Sequence, residues 1–369
     1  MTGSDESALR VIPGGQSAAT PYAPMRRKAL SRRLILDGIL SGDRAILAQA
    51  ITLIESSRAA DRELAEQIVE DCLPSSGHSV RVGITGVPGA GKSSLIEALG
   101  KFLIDEYKEK IAVLAVDPSS QLTGGSILGD KTRMTSLASS DMAFIRPSPS
   151  RGSFGGVAQR TREAMLLCEA AGYRTILVET VGVGQSETAV HDMVDFFLLI
   201  ALAGAGDELQ GIKRGVMELA DLVAINKADG ENLAAAERAV AESRNALHFF
   251  PGSPSGWTPR ALACSAHTGR GIQDLWDCVC EHAATARANG WFDANRRQQR
   301  RRWMQDILER GLQQFFSAHP QVRLRMEALE RDVEEGQTTP FRAARELLEM
   351  YANTGPRKTS RLEGPHQNE

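Results

Sequence analysis

The residues best suited to chemistry begin with three glycines that precede a lysine and a serine. Gly86, Gly89 and Gly91 lead into Lys92 and Ser93, with the spacing G-x-x-x-x-G-K-S. Glycines let successive backbone N–H groups converge on phosphate oxygens, while the lysine reaches the β- and γ-phosphates and the hydroxyl reaches magnesium. We predict a phosphate-binding loop in which Lys92 is also catalytic and Ser93 is a metal ligand. Its nucleotide-binding residues are Gly86, Val87, Pro88, Gly89, Ala90, Gly91, Lys92, Ser93 and Ser94.

A second polar group, N-K-A-D, supplies Asn226, Lys227 and Asp229 at the end of an apolar run. An aspartate here can accept hydrogen bonds from the guanine ring N–H and the exocyclic amine, whereas adenine presents an acceptor at that ring position. Asp229 could instead cap the helix that follows. Further along, Ser265 and Ala266 in C-S-A could give backbone N–H groups to the guanine oxygen. Downstream of a phosphate loop, this combination favours GTP or GDP as the bound nucleotide.

A carboxylate and a glycine lie together in V-E-T-V-G-V-G-Q, which ends another apolar run. Many GTPases have D-x-x-G here, and this chain has E-x-x-G. We predict that Glu179 is catalytic and holds magnesium or its waters, and that Gly182 brings a backbone N–H to the γ-phosphate. Gln185 is a candidate for positioning the attacking water.

Two more aspartates and a lysine complete the candidate site. Asp117 ends a predicted strand and Asp130 lies on the loop beyond it, so both are candidate magnesium ligands. Asp130 could also cap a helix. Lys213 lies in the glycine-rich, charged segment G-A-G-D-E-L-Q-G-I-K-R-G and, with Arg214, could reach the phosphates or an acidic residue. The alternative is an ordinary solvated loop.

Alternating apolar strands and amphipathic helices must position these residues. We predict strands at 80–85, 111–116, 143–145, 176–181, 196–203, 222–226 and 261–264, and helices at 92–103, 154–171, 208–220, 233–247 and 272–286. Such alternation predicts an α/β fold with a mostly parallel sheet flanked by helices, here of the P-loop NTPase class. Ligands of these sheets bind at the carboxyl ends of the strands, where the motifs above all fall.

The flanking segments differ from this central block. We predict a disordered N-terminus at 1–24, a helical extension at 25–77, a P-loop GTPase domain at 78–288, a helical C-terminal arm at 289–354 and a flexible tail at 355–369. The arm begins with an arginine run at 296–302, which we interpret as a solvated helix face.

Composition limits the classes of function. The net charge of −3 over 369 residues gives no indication of nucleic acid or of an anionic membrane. The chain has no apolar run of the roughly 18 residues that a membrane-spanning helix needs. Five scattered cysteines fit reduced thiols in a cytoplasmic protein. Arg26, Arg27 and Lys28 leave a mitochondrial leader as an alternative, although Asp5 and Glu6 precede them.

Several longer blocks carry a resemblance to a known family: G-V-P-G-A-G-K-S, L-A-V-D-P-S-S, G-G-S-I-L-G-D-K-T-R-M, V-E-T-V-G-V-G-Q-S-E and G-A-G-D-E-L-Q-G-I-K-R-G. In this order they resemble the MeaB/ArgK family. The resemblance implies a GTPase chaperone of an adenosylcobalamin-dependent acyl-CoA mutase, most simply methylmalonyl-CoA mutase, and a homodimer formed through the C-terminal arm. It also implies that Asp117, Asp130 and Glu179 serve magnesium, and that the loop around Lys213 is a switch.

Two other functions share the nucleotide core. A nickel-inserting metallochaperone would need a histidine- or cysteine-rich station, but the seven histidines are dispersed and no C-x-x-C occurs. A transport-linked protein kinase would use ATP, which N-K-A-D argues against. For the GTPase we expect low intrinsic turnover, because no arginine finger is evident in the sequence.

Overall fold

Seven apolar segments form one parallel sheet in the computed structural model, which describes residues 31–56, 58–116, 134–147, 154–180, 186–203 and 214–354. The strand order is β3-β2-β4-β1-β5-β6-β7. The strands are β1 Val80–Gly86, β2 Ile111–Val116, β3 Ala143–Arg146, β4 Thr175–Thr180, β5 Phe196–Leu202, β6 Leu222–Asn226 and β7 Arg260–Ala263. The predicted bounds differ from these by one residue at most. The fold-class prediction is confirmed.

Helices cover both faces of the sheet and extend beyond it at both chain ends. They are α1 Arg32–Leu40, α2 Arg44–Ile54, α3 Ala59–Cys72, α4 Lys92–Tyr107, α5 Thr135–Ser139, α6 Phe154–Ala170, α7 Ser186–His191, α8 Arg214–Glu218, α9 Leu233–Leu247, α10 Ile272–Ala288, α11 Trp291–Ala318, α12 Pro320–Glu334 and α13 Pro340–Thr354. The central strands β1, β2 and β4 are buried on both sides by these layers, which is why they are continuous apolar runs rather than alternating ones.

The alternation of side chains along each strand divides the core between the two faces. On one face, Val82 and Ile84 of β1 pack with Leu95 and Leu99 of α4 and with α10. On the other face, strands β2 and β4 pack against α6 and the N-terminal helices. Strand β1 is therefore held from both sides and ends in a fixed position at the carboxyl edge of the sheet, where the glycine loop begins.

The N-terminal helices pack on one another and on α6, and Thr52 of α2 accepts a hydrogen bond from Arg146 of β3 at 3.3 Å. Arg44 donates to the Ser140 carbonyl at 2.9 Å, and Arg146 at the end of β3 pairs with Glu55 beside α2. These contacts fix the N-terminal helices to the edge of the sheet at β3.

The C-terminal helices begin after Gly290, whose φ of +77° turns the chain from α10 into α11. The interpretation of the arginine run as a solvated face is wrong for Arg296, which is 7% exposed and pairs with Asp195. Helices α12 and α13 form a small core of their own around Val322 and Leu347. Across the described ranges, no helix is long and apolar enough to cross a membrane.

Candidate nucleotide site

The predicted motifs meet at one edge of the sheet. The glycine loop connects β1 to α4, the N-K-A-D sequence follows β6, and the C-S-A sequence follows β7. Because all strands are parallel, their carboxyl ends lie on the same side, and β1 is separated from β6 only by β5. Residues more than 130 positions apart in the sequence therefore come into direct contact (Ala90 with Asn226, for example).

The glycine loop takes a backbone path that only glycine fits at two positions. Gly86 and Gly91 have φ values of +154° and +87°, and both lie against other groups. A Cβ atom on Gly86 would fall 2.3 Å from the Ile200 carbonyl oxygen, and one on Gly91 would fall 2.6 Å from Nδ2 of Asn226. The close approach of neighbouring strands, as well as the turn itself, requires the glycines.

The Lys92 side chain folds back and hydrogen-bonds to the start of the glycine loop. Its Nζ atom donates hydrogen bonds to the carbonyl oxygens of Gly86, at 2.8 Å, and Val87, at 3.3 Å. Burial lowers the pKa of the Lys92 ammonium, and the nearby carboxylates of Glu179 and Glu187 oppose that shift. The loop therefore holds a positive charge at the start of α4, where the helix dipole also favours an anion.

Ser93 and Glu179 provide a pair of oxygen ligands beside the loop. The Ser93 hydroxyl donates to Oε1 of Glu179 at 3.1 Å, and Glu179 is buried at 7% exposure. A hydroxyl and a carboxylate are donors of the kind that Mg²⁺ prefers, so this pair fits a magnesium ion. The described residues contain no group of three or more His, Cys, Asp or Glu side chains that could hold a metal. The candidate ligands Asp117 and Asp130 lie outside them.

A buried pair of threonines joins the strands that carry these two groups. Thr180 donates its hydroxyl proton to the Thr85 hydroxyl at 2.8 Å, and both side chains are almost fully buried. Thr85 immediately precedes the glycine loop and Thr180 immediately follows Glu179. The sequence analysis missed this pair, because only the register between β1 and β4, in which Ile84 lies opposite Glu179, brings them together.

Asn226 and Lys227 bind the glycine loop directly. Nδ2 of Asn226 donates to the Ala90 carbonyl at 2.9 Å, and Nζ of Lys227 donates to the Gly89 carbonyl at 3.0 Å. Asn226 is 1% exposed, and its Oδ1 atom accepts a hydrogen bond from the Ala266 backbone N–H at 3.2 Å. Asn226 thus connects three loops of the predicted site through one side chain.

Asp229 is oriented by a neighbouring hydroxyl rather than by the helix that follows it. The Ser265 hydroxyl donates to Oδ2 of Asp229. The short 3₁₀ helix Gly230–Asn232 begins directly after Asp229, but none of its N–H groups donates to the Asp229 carboxylate, so the capping alternative is not the arrangement found. The sequence analysis had assigned Ser265 only a backbone role. Here the Ser265 N–H donates to the Arg270 carbonyl at 2.9 Å.

The described part of the chain therefore brings together the glycine loop, Glu179, the N-K-A-D residues, Ser265 and Ala266. Their roles in binding and catalysis stay predictions. The remaining candidates, Gly182, Gln185 and Lys213, lie outside the described residues, as do Asp117 and Asp130. A buried lysine at a helix start, a paired hydroxyl and carboxylate, and an aspartate oriented by a serine can together bind a triphosphate, a divalent cation and a guanine.

Comparisons with known proteins give one consistent group of relatives. A family model described as methylmalonyl Co-A mutase-associated GTPase MeaB matches residues 47–321. The chain is similar to the GTPase ArgK of Escherichia coli, with 51% identity over 73% of this chain and 81% of that protein. It is 45% identical to a mitochondrial methylmalonic aciduria type A homolog of Mus musculus, over 85% of this chain and 78% of that protein. The crystal structure of a LAO/AO transport system kinase is similar at a TM-score of 0.71 and 38% identity, covering 88% of this chain and 99% of that one.

Proposed function

We propose that this chain, which belongs to the MeaB family of methylmalonyl-CoA mutase-associated GTPases, hydrolyses GTP in a magnesium-dependent reaction. In this proposal it acts as a chaperone of an adenosylcobalamin-dependent acyl-CoA mutase. The observation that carries the nucleotide part is the contact between Asn226 and the glycine loop. This contact joins the N-K-A-D segment, which we propose reads guanine, to the glycine loop, which we propose binds phosphate. A guanine nucleotide would then span the two, with its base near Asp229 and its phosphates near Lys92.

The chain's own residues would act mainly by positioning and charge. Lys92 would neutralise charge on the transferred phosphoryl group, and backbone N–H groups of the glycine loop would bind its oxygens. Ser93 and Glu179, with Asp117 and Asp130, would hold the magnesium, which would neutralise phosphate charge when bound. Low intrinsic turnover, which a partner would raise, is part of this proposal.

The proposed client follows from the family and its relatives. The family model is described as mutase-associated, and a relative is named for methylmalonic aciduria type A. Methylmalonyl-CoA mutase is therefore the first client to test. In this proposal the GTP cycle gates delivery of adenosylcobalamin and protects or reactivates the mutase.

An exposed apolar stripe on α11 supports a homodimer. Large side chains on this helix are exposed although they repeat at helical spacing: Met304, Ile307, Leu308, Leu312 and Phe315. Phe341 and Leu348 on α13 are exposed as well. Contiguous apolar surface of this kind usually marks an interaction site. We propose that segment 289–354 is a dimerisation arm and that the stripe meets a second copy.

The decisive experiment measures nucleotide binding and client binding separately. We expect calorimetry with Mg²⁺ to give saturable binding of GTP and GDP but not of ATP, and Lys92→Ala to abolish tight binding of GTP. Immobilised protein should capture purified methylmalonyl-CoA mutase, with a yield that depends on a non-hydrolysable GTP analogue. Absence of saturable GTP binding would contradict the nucleotide assignment, and nucleotide binding without capture would contradict the client.

A matched substitution tests the magnesium site. Glu179→Gln keeps the size of the side chain but removes the charge beside Ser93. We expect a higher magnesium concentration for half-maximal GTP hydrolysis, by about 10-fold, since a carboxylate is a much better Mg²⁺ ligand than an amide. Nucleotide affinity in EDTA should change little. An unchanged magnesium titration would show that Glu179 does not serve the metal.

The two alternative functions remain distinguishable by experiment. A nickel metallochaperone would bind Ni²⁺ or Zn²⁺ stoichiometrically, and a transport-linked kinase would transfer phosphate from ATP to a protein. We expect neither result. The seven histidines are dispersed in the sequence and no C-x-x-C occurs, which argues against the first alternative. The proposed reading of guanine by Asp229 argues against the second.

A further inference from the structure

One face of α11 binds the short turn that joins α7 to β5. Arg296, Gln299 and Arg302 are three residues apart, so they lie on the same side of the helix. Nε and Nη2 of Arg296 each donate to a carboxylate oxygen of Asp195 at 2.5 Å. Nε2 of Gln299 donates to the Val194 carbonyl at 2.7 Å, and Nη1 of Arg302 donates to Oδ1 of Asp192 at 2.6 Å. Three successive contacts therefore follow the turn 192–195, which we call the α7–β5 turn.

The same turn is fixed to the strand that carries the glycine loop. Oδ2 of Asp195 accepts a hydrogen bond from the Arg81 backbone N–H at 2.9 Å. A Cβ atom on Gly83 would lie 2.9 Å from a methyl carbon of Val190 and 3.0 Å from one of Val194. Helix α7 and the α7–β5 turn thus pack against β1 without space between them. A displacement of α7 must move the turn, because close-packed groups transmit shifts rather than absorb them.

Helix α7 lies at the nucleotide side of the molecule. It begins six residues after Thr180, and its first turn carries Glu187. Helix α7 contacts β4, the strand that carries Glu179, and β1, the strand that leads into the glycine loop. The helix that leads into the α7–β5 turn therefore packs against two strands that end at the proposed nucleotide site.

The far part of α11 carries the exposed apolar stripe, including Leu308 and Leu312. Within the same part of α11, Asp306 pairs with Arg162 of α6 at 2.6 Å. Helix α11 is continuous from Trp291 to Ala318, so one rigid element joins the α7–β5 turn to the surface proposed for the second copy.

We infer that α11 is the element through which the nucleotide site controls the C-terminal arm, with the Arg296, Gln299 and Arg302 contacts to the α7–β5 turn as the coupling. The inference rests on the proposed function, because it requires that the site bind GDP and GTP. Coupling of this kind is reciprocal, so a partner bound to α11 changes nucleotide affinity by the same factor that nucleotide changes partner affinity.

Amide hydrogen exchange on the full-length protein tests the coupling. Peptides from 291–318 are compared with GDP bound and with a non-hydrolysable GTP analogue bound. We expect the wild-type exchange rates to differ between the two states by about 5-fold or more, in the usual range for coupled sites. Arg302→Asp, which opposes Asp192 with a like charge, and Gln299→Met, which keeps the side-chain volume, should each bring this ratio close to one.

Two further variants separate coupling from simple destabilisation. The charge-swapped double variant Asp192→Arg with Arg302→Asp should restore the ratio, because the ion pair is rebuilt in the opposite order. Arg301→Asp is the matched control: Arg301 is exposed and makes no ion pair with any described residue, so the ratio should stay at the wild-type value.

The outcomes are distinct. If the protein binds neither nucleotide, the proposed function fails and this inference fails with it. If both nucleotides bind tightly but wild-type α11 exchanges at one rate, the inference alone is overturned. It is also overturned if Arg302→Asp and Gln299→Met retain the wild-type ratio, which would show that the contacts only anchor the helix.

Discussion

At the scale of single residues, the arrangement around Asp229 depends on a partner 36 positions away. The Ser265 hydroxyl orients the carboxylate that we propose reads guanine. The same hydroxyl oxygen accepts the Thr268 backbone N–H at 3.2 Å, which fixes the position of the serine in turn. Base selectivity should therefore depend on Ser265 as well as on Asp229.

We predict that Ser265→Ala lowers GTP affinity by about 10-fold or more, because a hydrogen bond to a charged group contributes about 1.5–3 kcal/mol. Asp229→Asn should have the larger effect and should lose most of the preference for GTP over other purine nucleotides. Competition binding with GTP, ITP and XTP measures both changes. Ser253→Ala, which alters a hydroxyl in the loop before β7, is the control and should bind like the wild type. Full selectivity in Ser265→Ala would contradict the role given to this hydroxyl.

At the scale of elements, the glycine loop is shaped by the strands beside it as much as by its own turns. Gly91 must be small because Nδ2 of Asn226, at the end of β6, occupies the space where a Cβ would lie. The loop conformation and the position of β6 are therefore mutually dependent. A side chain at Gly91 would push the N-K-A-D segment away from the phosphate loop.

We predict that Gly91→Ala reduces GTP affinity at least 10-fold while the protein remains folded. Gly172→Ala is the matched control, because Gly172 has nearly the same φ, +86° against +87°, but a Cβ there meets nothing within 4 Å. Both variants should lose about 1–2 kcal/mol of unfolding free energy from the left-handed backbone. Only Gly91→Ala should lose affinity, as measured by calorimetry. Equal affinities in the two variants would show that contact with Asn226 is unimportant.

At the scale of the whole molecule, a buried ionic network joins the sheet to the C-terminal helices at the end opposite the site. Glu169 of α6 accepts hydrogen bonds from Arg81 at 2.9 and 3.0 Å and from Ser79, and it lies 3.4 Å from Nη1 of Arg296. Burial alone would raise the pKa of Glu169, but the charges of Arg81 and Arg296 and the hydrogen bonds from Arg81 and Ser79 outweigh it and hold the pKa at about 2.

This network predicts an acid-sensitive fold. Since the folded-state pKa of Glu169 is below its ordinary value of 4.5, the stabilisation is fully present above pH 4.5 and is lost as the pH falls toward 2. Glu169→Gln should lose about 3–5 kcal/mol of unfolding free energy at pH 7, because two buried arginines lose an acceptor. The unfolding free energy of Glu169→Gln should also decrease less than that of the wild type as the pH falls. Denaturant unfolding at pH 7 and pH 3.5 measures both, and Glu63→Gln on the exposed side of α3 should behave like the wild type. If the unfolding free energies of Glu169→Gln and the wild type decreased equally between pH 7 and pH 3.5, Glu169 would not be the source of the acid sensitivity.

The exposed stripe on α11 makes a prediction about assembly. Leu312→Asp places a charge in the middle of the stripe, where 53% of Leu312 is exposed. If a second copy binds there, the variant should be monomeric by light scattering and retain GTP binding, because a buried unpaired charge opposes association. Gln313→Asp, at an exposed position on the opposite side of α11 from the stripe, should leave the assembly unchanged. Identical masses for wild type and Leu312→Asp would remove the stripe from the interface.

The sequence by itself determined the elements and the chemical groups of the site. Short apolar runs ending in glycines, carboxylates or N-K-A-D fix strands and loops locally, because strand burial and turn geometry depend on neighbouring residues. The P-loop fold, the strand bounds and the meeting of the motifs at one sheet edge followed from that local pattern and from the carboxyl-end rule of parallel sheets.

Only the tertiary structure decided which distant groups touch. The order β1-β5-β6 brings Asn226 to Ala90, and the register of β1 with β4 joins Thr85 to Thr180. Arg296 was misread as solvated because periodicity reveals a charged position but not the carboxylates of Asp195 and Glu169 that other segments bring to it. Strand order and register are set by packing across the whole chain, so no local pattern of residues contains them.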